Sequence, residues 1–157
     1  VIRKATHNDV PKMMTLEESV ERENAIWGSH ADTKDVWANR NLEWTFVALC
    51  DGDVAGFVYC QPRPYSGECV FRPDSKILEI VTLIVEKSVR SQGLGHELMD
   101  MVRQEARRQG FTHLRVYSAS RRFDDILKFY RSCGFTPWYV EMTRGIEAEP
   151  AHPNDGQ

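Results

Sequence analysis

Ile77-Leu78-Glu79-Ile80-Val81-Thr82-Leu83-Ile84-Val85, followed after a short gap by Arg90-Ser91-Gln92-Gly93-Leu94-Gly95, is the stretch from which the fold can be read. The apolar run is dense in β-branched side chains and predicts a buried strand. Beyond the glycines, Leu94, Leu98, Met101, Val102 and Ala106 recur on one face at the helical period, and Gly110 supplies a stop. The glycines therefore stand where a strand hands over to a helix N-terminus. Free N–H groups and the helix dipole favour an anion at such a place. Physics alone predicts a phosphate site there.

Working outward, Thr112 to Ser118 reads as another strand, and the helical crossover before it implies parallel pairing with the central one. Asp124 to Cys133 predicts a helix carrying Ile126, Leu127, Phe129 and Tyr130; Gly134 ends it, and Thr136 to Met142 predicts a last strand. On the other side, Asp51-Gly52 is a two-residue hairpin turn joining Trp44–Cys50 to Val54–Cys60. Residues 61–76, with Pro62, Pro64, Gly67 and Pro73, predict a long loop or a ragged hairpin tip. Ile2 to Thr6 opens the chain as a strand. Pro11 belongs in the first turn of the next helix, so Asn8 or Asp9 is its N-cap, and Met13, Leu16 and Val20 face a core. A second helix runs from Asp32 to near Glu43 with Val36 and Trp37. The predicted order is βααβββαβαβ, an α/β fold with a mixed sheet of six to seven strands and helices on both faces. One domain is expected over residues 1–146. Residues 147–157, with two prolines and no large apolar side chain, are expected to form a mobile tail.

The 157 residues carry a net charge of −3 and no lysine or arginine block, which gives no electrostatic case for nucleic acid. The longest apolar run contains Glu79 and is too short to span a bilayer. Cys50, Cys60, Cys69 and Cys133 are scattered without CxxC spacing, which points to a reduced, cytoplasmic setting. The five histidines lack metal-ligand spacing with one another or with the cysteines, so no metal is expected.

Leu83 to Gly95 resembles the acetyl-CoA signature of the GNAT superfamily of N-acetyltransferases, Leu-x-Val, a gap, then Arg/Gln-x-x-Gly-x-Gly/Ala. Phe129-Tyr130-Arg131-Ser132-Cys133-Gly134-Phe135 is similar to the second signature, a tyrosine four residues ahead of Gly-Phe. The resemblance implies that the backbone of Leu83, Ile84 and Val85 pairs with the pantetheine arm of acetyl-CoA. It implies that Arg90, Ser91, Gln92, Gly93, Leu94 and Gly95 cradle the diphosphate, with the glycines allowing close backbone approach and Arg90 adding charge. Two departures stand out: Lys87 where many members have Pro, and Ser118-Ala119-Ser120 where many have an Asn that contacts the pantetheine.

Acetyl transfer from a thioester to an amine needs a deprotonated amine, a polarised carbonyl, a proton for the departing thiolate and reactants held together. The resemblance assigns carbonyl polarisation to the backbone N–H of Val85. Tyr130 is the candidate general acid, since a phenol near its ordinary pKa of ~10 is protonated at neutral pH. The alternative is an aromatic that packs at the helix end or orders the cofactor. Glu79, the lone charge in an apolar strand, is the candidate base, because burial raises a carboxylate's pKa. Its alternatives are a glutamate facing solvent or bonded to a neighbouring strand, with a water chain taking the proton. Glu17, Glu18, Glu21 and Glu23 precede Trp27 and His30 in the segment that walls the acceptor site in this family. They are either a negative mouth that draws a cationic amine or the solvated face of the first helix.

The expected function is therefore acetyl-CoA-dependent N-acetylation of a primary amine of a small molecule by direct transfer, with a homodimer compatible with it. A protein or peptide amine, or a non-catalytic acyl-CoA-binding module, is the alternative. A dinucleotide-binding unit fits less well, because Leu98 stands where a third glycine belongs.

Overall fold

The sheet is built around β4 (Ile77–Val85), which pairs antiparallel with β3 (Asp53–Arg63) on one side and parallel with β5 (His113–Val116) on the other. The structure is a computed structural model that describes residues 1–146, so the expected tail over 147–157 lies outside the described residues. Beyond β3 come β2 (Thr45–Cys50) and, at the far edge, β1 (Ile2–Lys4), giving a five-stranded sheet in the order β1-β2-β3-β4-β5. All pairs are antiparallel except β4 with β5.

Helices cover both faces, as the patterning required. On one face α1 (Val10–Glu23) and α2 (Lys34–Ala38) bury Met13, Leu16, Val20 and Trp37 against Val47, Phe57, Tyr59 and Ile84. On the other, α3 (Leu94–Arg108) buries Leu98, Met99, Val102 and Ala106 against Phe46, Val58, Cys60, Leu78 and Ile80. Phe129 and Cys133, from the region of α4 (Phe123–Ser132), extend this second layer. Asp9 is the N-cap position of α1 and Pro11 falls in its first turn, where a missing N–H costs nothing. The Asp9 carboxylate accepts from the Thr6 N–H at 2.8 Å and from both terminal nitrogens of Arg3 at 2.8 Å, which fixes the entry of the chain into the helix.

Three expectations on element length are corrected. The sheet has five strands rather than six or seven, because no strand follows α4 among the described residues. Residues 136–142 do carry apolar side chains, but Pro137 lacks a donor N–H and β5 offers only four residues to pair with. Trp138, Tyr139, Val140 and Met142 are accordingly exposed. The second helix is five residues long, capped by Thr33 and ended at Ala38 rather than near Glu43. The strand expected over Val54–Cys60 runs on to Arg63, past Pro62, so the hairpin of β3 and β4 closes through a ragged tip over 64–76.

β4 also carries a bulge. Tyr59 pairs with Thr82 but Cys60 pairs with Ile80, leaving Val81 as an extra residue. Side-chain alternation flips there: Leu78 and Ile80 face α3 before it, and Leu83 and Val85 face α3 after it.

Candidate active site

The pairing of β4 with β5 ends at Ile80 and Val116. From Val81 onward the β4 edge has no strand beside it among the described residues, so the sheet opens into a cleft where its two parallel strands part. The orientation of that edge follows from one bond. The Glu86 N–H donates to the Ala55 carbonyl of β3 at 2.8 Å, so the Val85 carbonyl of the same trans peptide points the other way, into the cleft. The N–H of Val85 shares that side, and strand alternation puts Leu83 there as well.

At the end of β4 the chain passes through a short 3-10 turn, Lys87–Val89, to Ser91 at φ +66° and Gly93 at φ +88°. Gly93 is the N-cap position of α3 and supplies no side-chain acceptor. The first bond of the helix runs from the Glu97 N–H to the Gly93 carbonyl at 3.0 Å. Among the described residues nothing accepts from the amides of Gly93, Leu94 and Gly95, and a Cβ at Gly93 would meet only open space. Three free amides, a helix dipole and room beside them fit a diphosphate. Gly95 faces the other way: a Cβ there would come within 3.2 Å of the Phe129 ring, so this glycine lets α4 close on α3.

Tyr130 follows Phe129 on α4, half-buried, its ring edge-on to Phe129 at 5.1 Å and to Phe135 at 5.5 Å between centroids. Loss of water raises its phenol well above the ordinary value, and nearby Cys133 and Cys60 add to the rise. Burial pushes the Cys60 thiol up to about 12, so it stays protonated and offers no competing thiolate.

Glu79 lies on the opposite face of the sheet from α3 and is buried, with 7% of its surface exposed. Its Oε2 accepts from Arg63 Nε and its Oε1 faces Arg115 Nη2 at 3.3 Å, while Arg115 Nη1 reaches Glu68 at 2.7 Å. It is thus bonded to neighbouring strands through two guanidiniums. Sequence reasoning singled out the carboxylate and missed both arginines; a charged residue opposite it in register on an adjacent strand was the available signal for Arg115.

The glutamates of α1 are committed within the fold. Glu17 accepts from Trp37 Nε1 and from the Asp32 N–H, and Glu21 accepts from the Ala31 N–H. Glu23 takes both terminal nitrogens of Arg90, and the exposed Glu18 faces Arg22. Glu17, Glu21 and Glu23 thus tie the segment between α1 and α2 to its neighbours, while Glu18 reaches only along its own helix. Arg90, expected to add charge at the phosphate, has its guanidinium on Glu23 and on the Val85 carbonyl.

Residues 12–135 match the acetyltransferase (GNAT) family. The chain belongs to that family. A transcriptional regulator from Bacillus halodurans C-125 shares the GNAT architecture seen here, with a TM-score of 0.72 at 18% identity over 93% of this chain and 99% of that one. An aminoglycoside acetyltransferase from an uncultured soil metagenomic sample, solved with trehalose, gives 0.68 at 22% identity over 94% and 96%. AAC(6')-Iy, solved with a bisubstrate analogue that joins CoA to an acetylneamine, gives 0.69 at 19% identity over 92% and 97%. At such identities the likeness is one of fold. No curated relative matches the chain by sequence. Among the described residues no helix is long and apolar enough to cross a membrane, and no three His, Cys, Asp or Glu side chains converge as metal ligands would.

Proposed function

We propose that this GNAT chain is an N-acetyltransferase that moves an acetyl group from acetyl-CoA directly to a primary amine of a small molecule. The observation that carries the reading is the parting of β4 from β5 beside the free N-terminus of α3. One opening then offers strand-edge amides for an amide-bearing arm and helix amides for a diphosphate. Acetyl-CoA supplies the activated thioester and the anionic handle by which it is held.

Each chemical requirement has a residue. The edge amides of Leu83 and Val85 hydrogen-bond the donor, and the Val85 N–H polarises the acyl carbonyl. Ile84, whose side chain packs into the α1 layer, fixes the strand between them. Ser91 and Gln92 shape the turn that delivers Gly93, Leu94 and Gly95 to the diphosphate, and Arg90 braces that turn. Tyr130 donates its proton to the departing sulfur; loss of water keeps that proton on the phenol until the thiolate develops beside it. Glu79 takes the amine proton through a water, because both of its oxygens already face guanidinium groups.

The test is thiol release from acetyl-CoA across a panel of primary amines that includes aminoglycosides, polyamines, amino acids and lysine peptides. Release that requires both acetyl-CoA and a small amine supports the proposal. Coenzyme A binding with no release on any amine would make the chain a binding module, and release only with peptides would move the acceptor to protein.

A further inference from the structure

Arg90 and Glu23, 67 positions apart, meet in a two-pronged pair, with Nη1 on Oε2 at 2.7 Å and Nη2 on Oε1 at 2.9 Å. The third nitrogen, Nε, donates to the Val85 carbonyl at 2.9 Å. One planar guanidinium thus joins the end of the donor-edge strand to the last residue of α1. A lysine has no equivalent fork.

Glu23 is also where the segment between α1 and α2 sets off, since Asn24 leaves the helix at φ +51°. The next residues are laced to the segment ahead of α4. The Trp27 N–H donates to the Ala119 carbonyl at 2.8 Å, the Arg121 N–H donates to the Ala25 carbonyl at 3.0 Å, and Ile26 bridges Ser120. The Arg121 guanidinium lies 3.4 Å from the Trp27 ring centroid. Further along, Glu21 and Glu17 hold the amides of Ala31 and Asp32. The segment is therefore fixed to α1, to the β5–α4 connection and, through Glu23, to the donor edge. Both partners of the Glu23–Arg90 pair keep solvent contact, and exposed pairs contribute little to overall stability, so the consequence of this one is geometrical.

Resting on the transferase reading above, we propose that Glu23 and Arg90 are positioning residues. Together they hold the Val85 carbonyl, on the same residue as the amide aimed into the cleft, at a set orientation to the segment between α1 and α2, which the family resemblance places at the acceptor side. Group transfer is sensitive to misplacement of about 1 Å between donor and acceptor, and this pair links the two walls that set that distance.

The test compares the wild-type chain with Glu23→Ala, Glu23→Gln, Arg90→Ala and the double alanine variant. Coenzyme A affinity is read by calorimetry and hydrogen exchange of peptides spanning residues 24–33 by mass spectrometry; kcat and KM are read on any amine the panel yields. Expected for Glu23→Ala are a coenzyme A affinity within about threefold of wild type, exchange faster by about tenfold and kcat lower by about tenfold at little-changed donor KM. Glu23→Gln, which keeps one prong, should recover part of both losses, and the double variant should be no worse than the poorer single one. Exchange in Glu23→Ala within about twofold of wild type, or losses that add in the double variant, would overturn the proposal even if no amine is found. A wild type that fails to bind coenzyme A would instead overturn the transferase reading, and the exchange comparison would still judge the pair.

Discussion

Trp37 Nε1 and the Asp32 N–H both donate to the same oxygen of Glu17, each at 3.0 Å, in the buried layer between α1 and the sheet. Burial raises the Glu17 carboxyl above its ordinary value near 4.5, and the two hydrogen bonds only partly oppose it. A carboxyl whose folded pKa lies above its unfolded one keeps its proton longer in the fold. Its contribution is fully present below the unfolded value and lost as pH rises through the folded one. Glu17→Gln keeps an acceptor oxygen and carries no charge. Urea melts taken upward from pH 4.5 should therefore show the variant gaining on wild type as pH rises. Glu17→Leu, which strands both donors, should cost about 1–3 kcal/mol.

The two glycines of the α3 start should respond differently to the same change. Gly95→Ala sets a Cβ within 3.2–3.3 Å of the Phe129 ring and so pushes on α4 beside Tyr130. Gly93→Ala meets open space but holds alanine at φ +88°, a strained conformation that costs about 1–2 kcal/mol. Thermal melts should find Gly93→Ala less stable than wild type by that order. Kinetics should find Gly95→Ala impaired in turnover beyond what its melting shift explains.

Tyr130→Phe removes the donor hydroxyl and keeps the ring packing on Phe129 and Phe135. Turnover should fall by about 10²-fold or more while coenzyme A affinity changes little. Because the phenol is raised, its proton is retained as pH climbs through 10, so wild-type kcat should show no loss of the acid on the alkaline side of that range. An unchanged rate in the phenylalanine variant would remove Tyr130 from the mechanism.

Glu79→Gln keeps the shape and loses the charge that faces Arg63 and Arg115. With Glu79 taking the amine proton, kcat should drop by about 10²-fold while coenzyme A affinity changes little. Arg63→Ala offers a contrast, since it leaves the carboxylate in place with Arg115 as its remaining partner. That variant should lose far less of kcat than Glu79→Gln.

The strand, glycine loop and helix were legible because each carries a local signal: a β-branched run, a pair of glycines and a 3.6-residue repeat. The layers on both faces followed from Met13, Leu16 and Val20 and from Leu98, Val102 and Ala106, all buried as their spacing required. What stayed hidden depends on pairing across the chain. Nothing near Val81 marks it as an extra residue, since the bulge is defined only against Tyr59 and Cys60. The last strand was misjudged because apolar residues at 138–142 look the same whether or not an edge is there to receive them. Arg90 shows the same limit, for its sequence neighbours gave no sign of a glutamate 67 positions upstream.

The odd residue at Val81 lets a single strand serve two masters. Upstream of it, Leu78 and Ile80 belong to the packing beneath α3 while Glu79 looks toward α1; downstream, Leu83 and Val85 rejoin the α3 layer. Deleting that one position would only straighten the ladder and leave Leu83 and Val85 beneath α3. Keeping Val81 but pairing it like any other residue would turn the downstream half over. Ile84 would then be driven under α3, Leu83 and Val85 would be carried across to α1, and the amides now facing the opening would turn inward to β3. A chain paired in this way would keep every signature in its sequence and still present no edge to grasp.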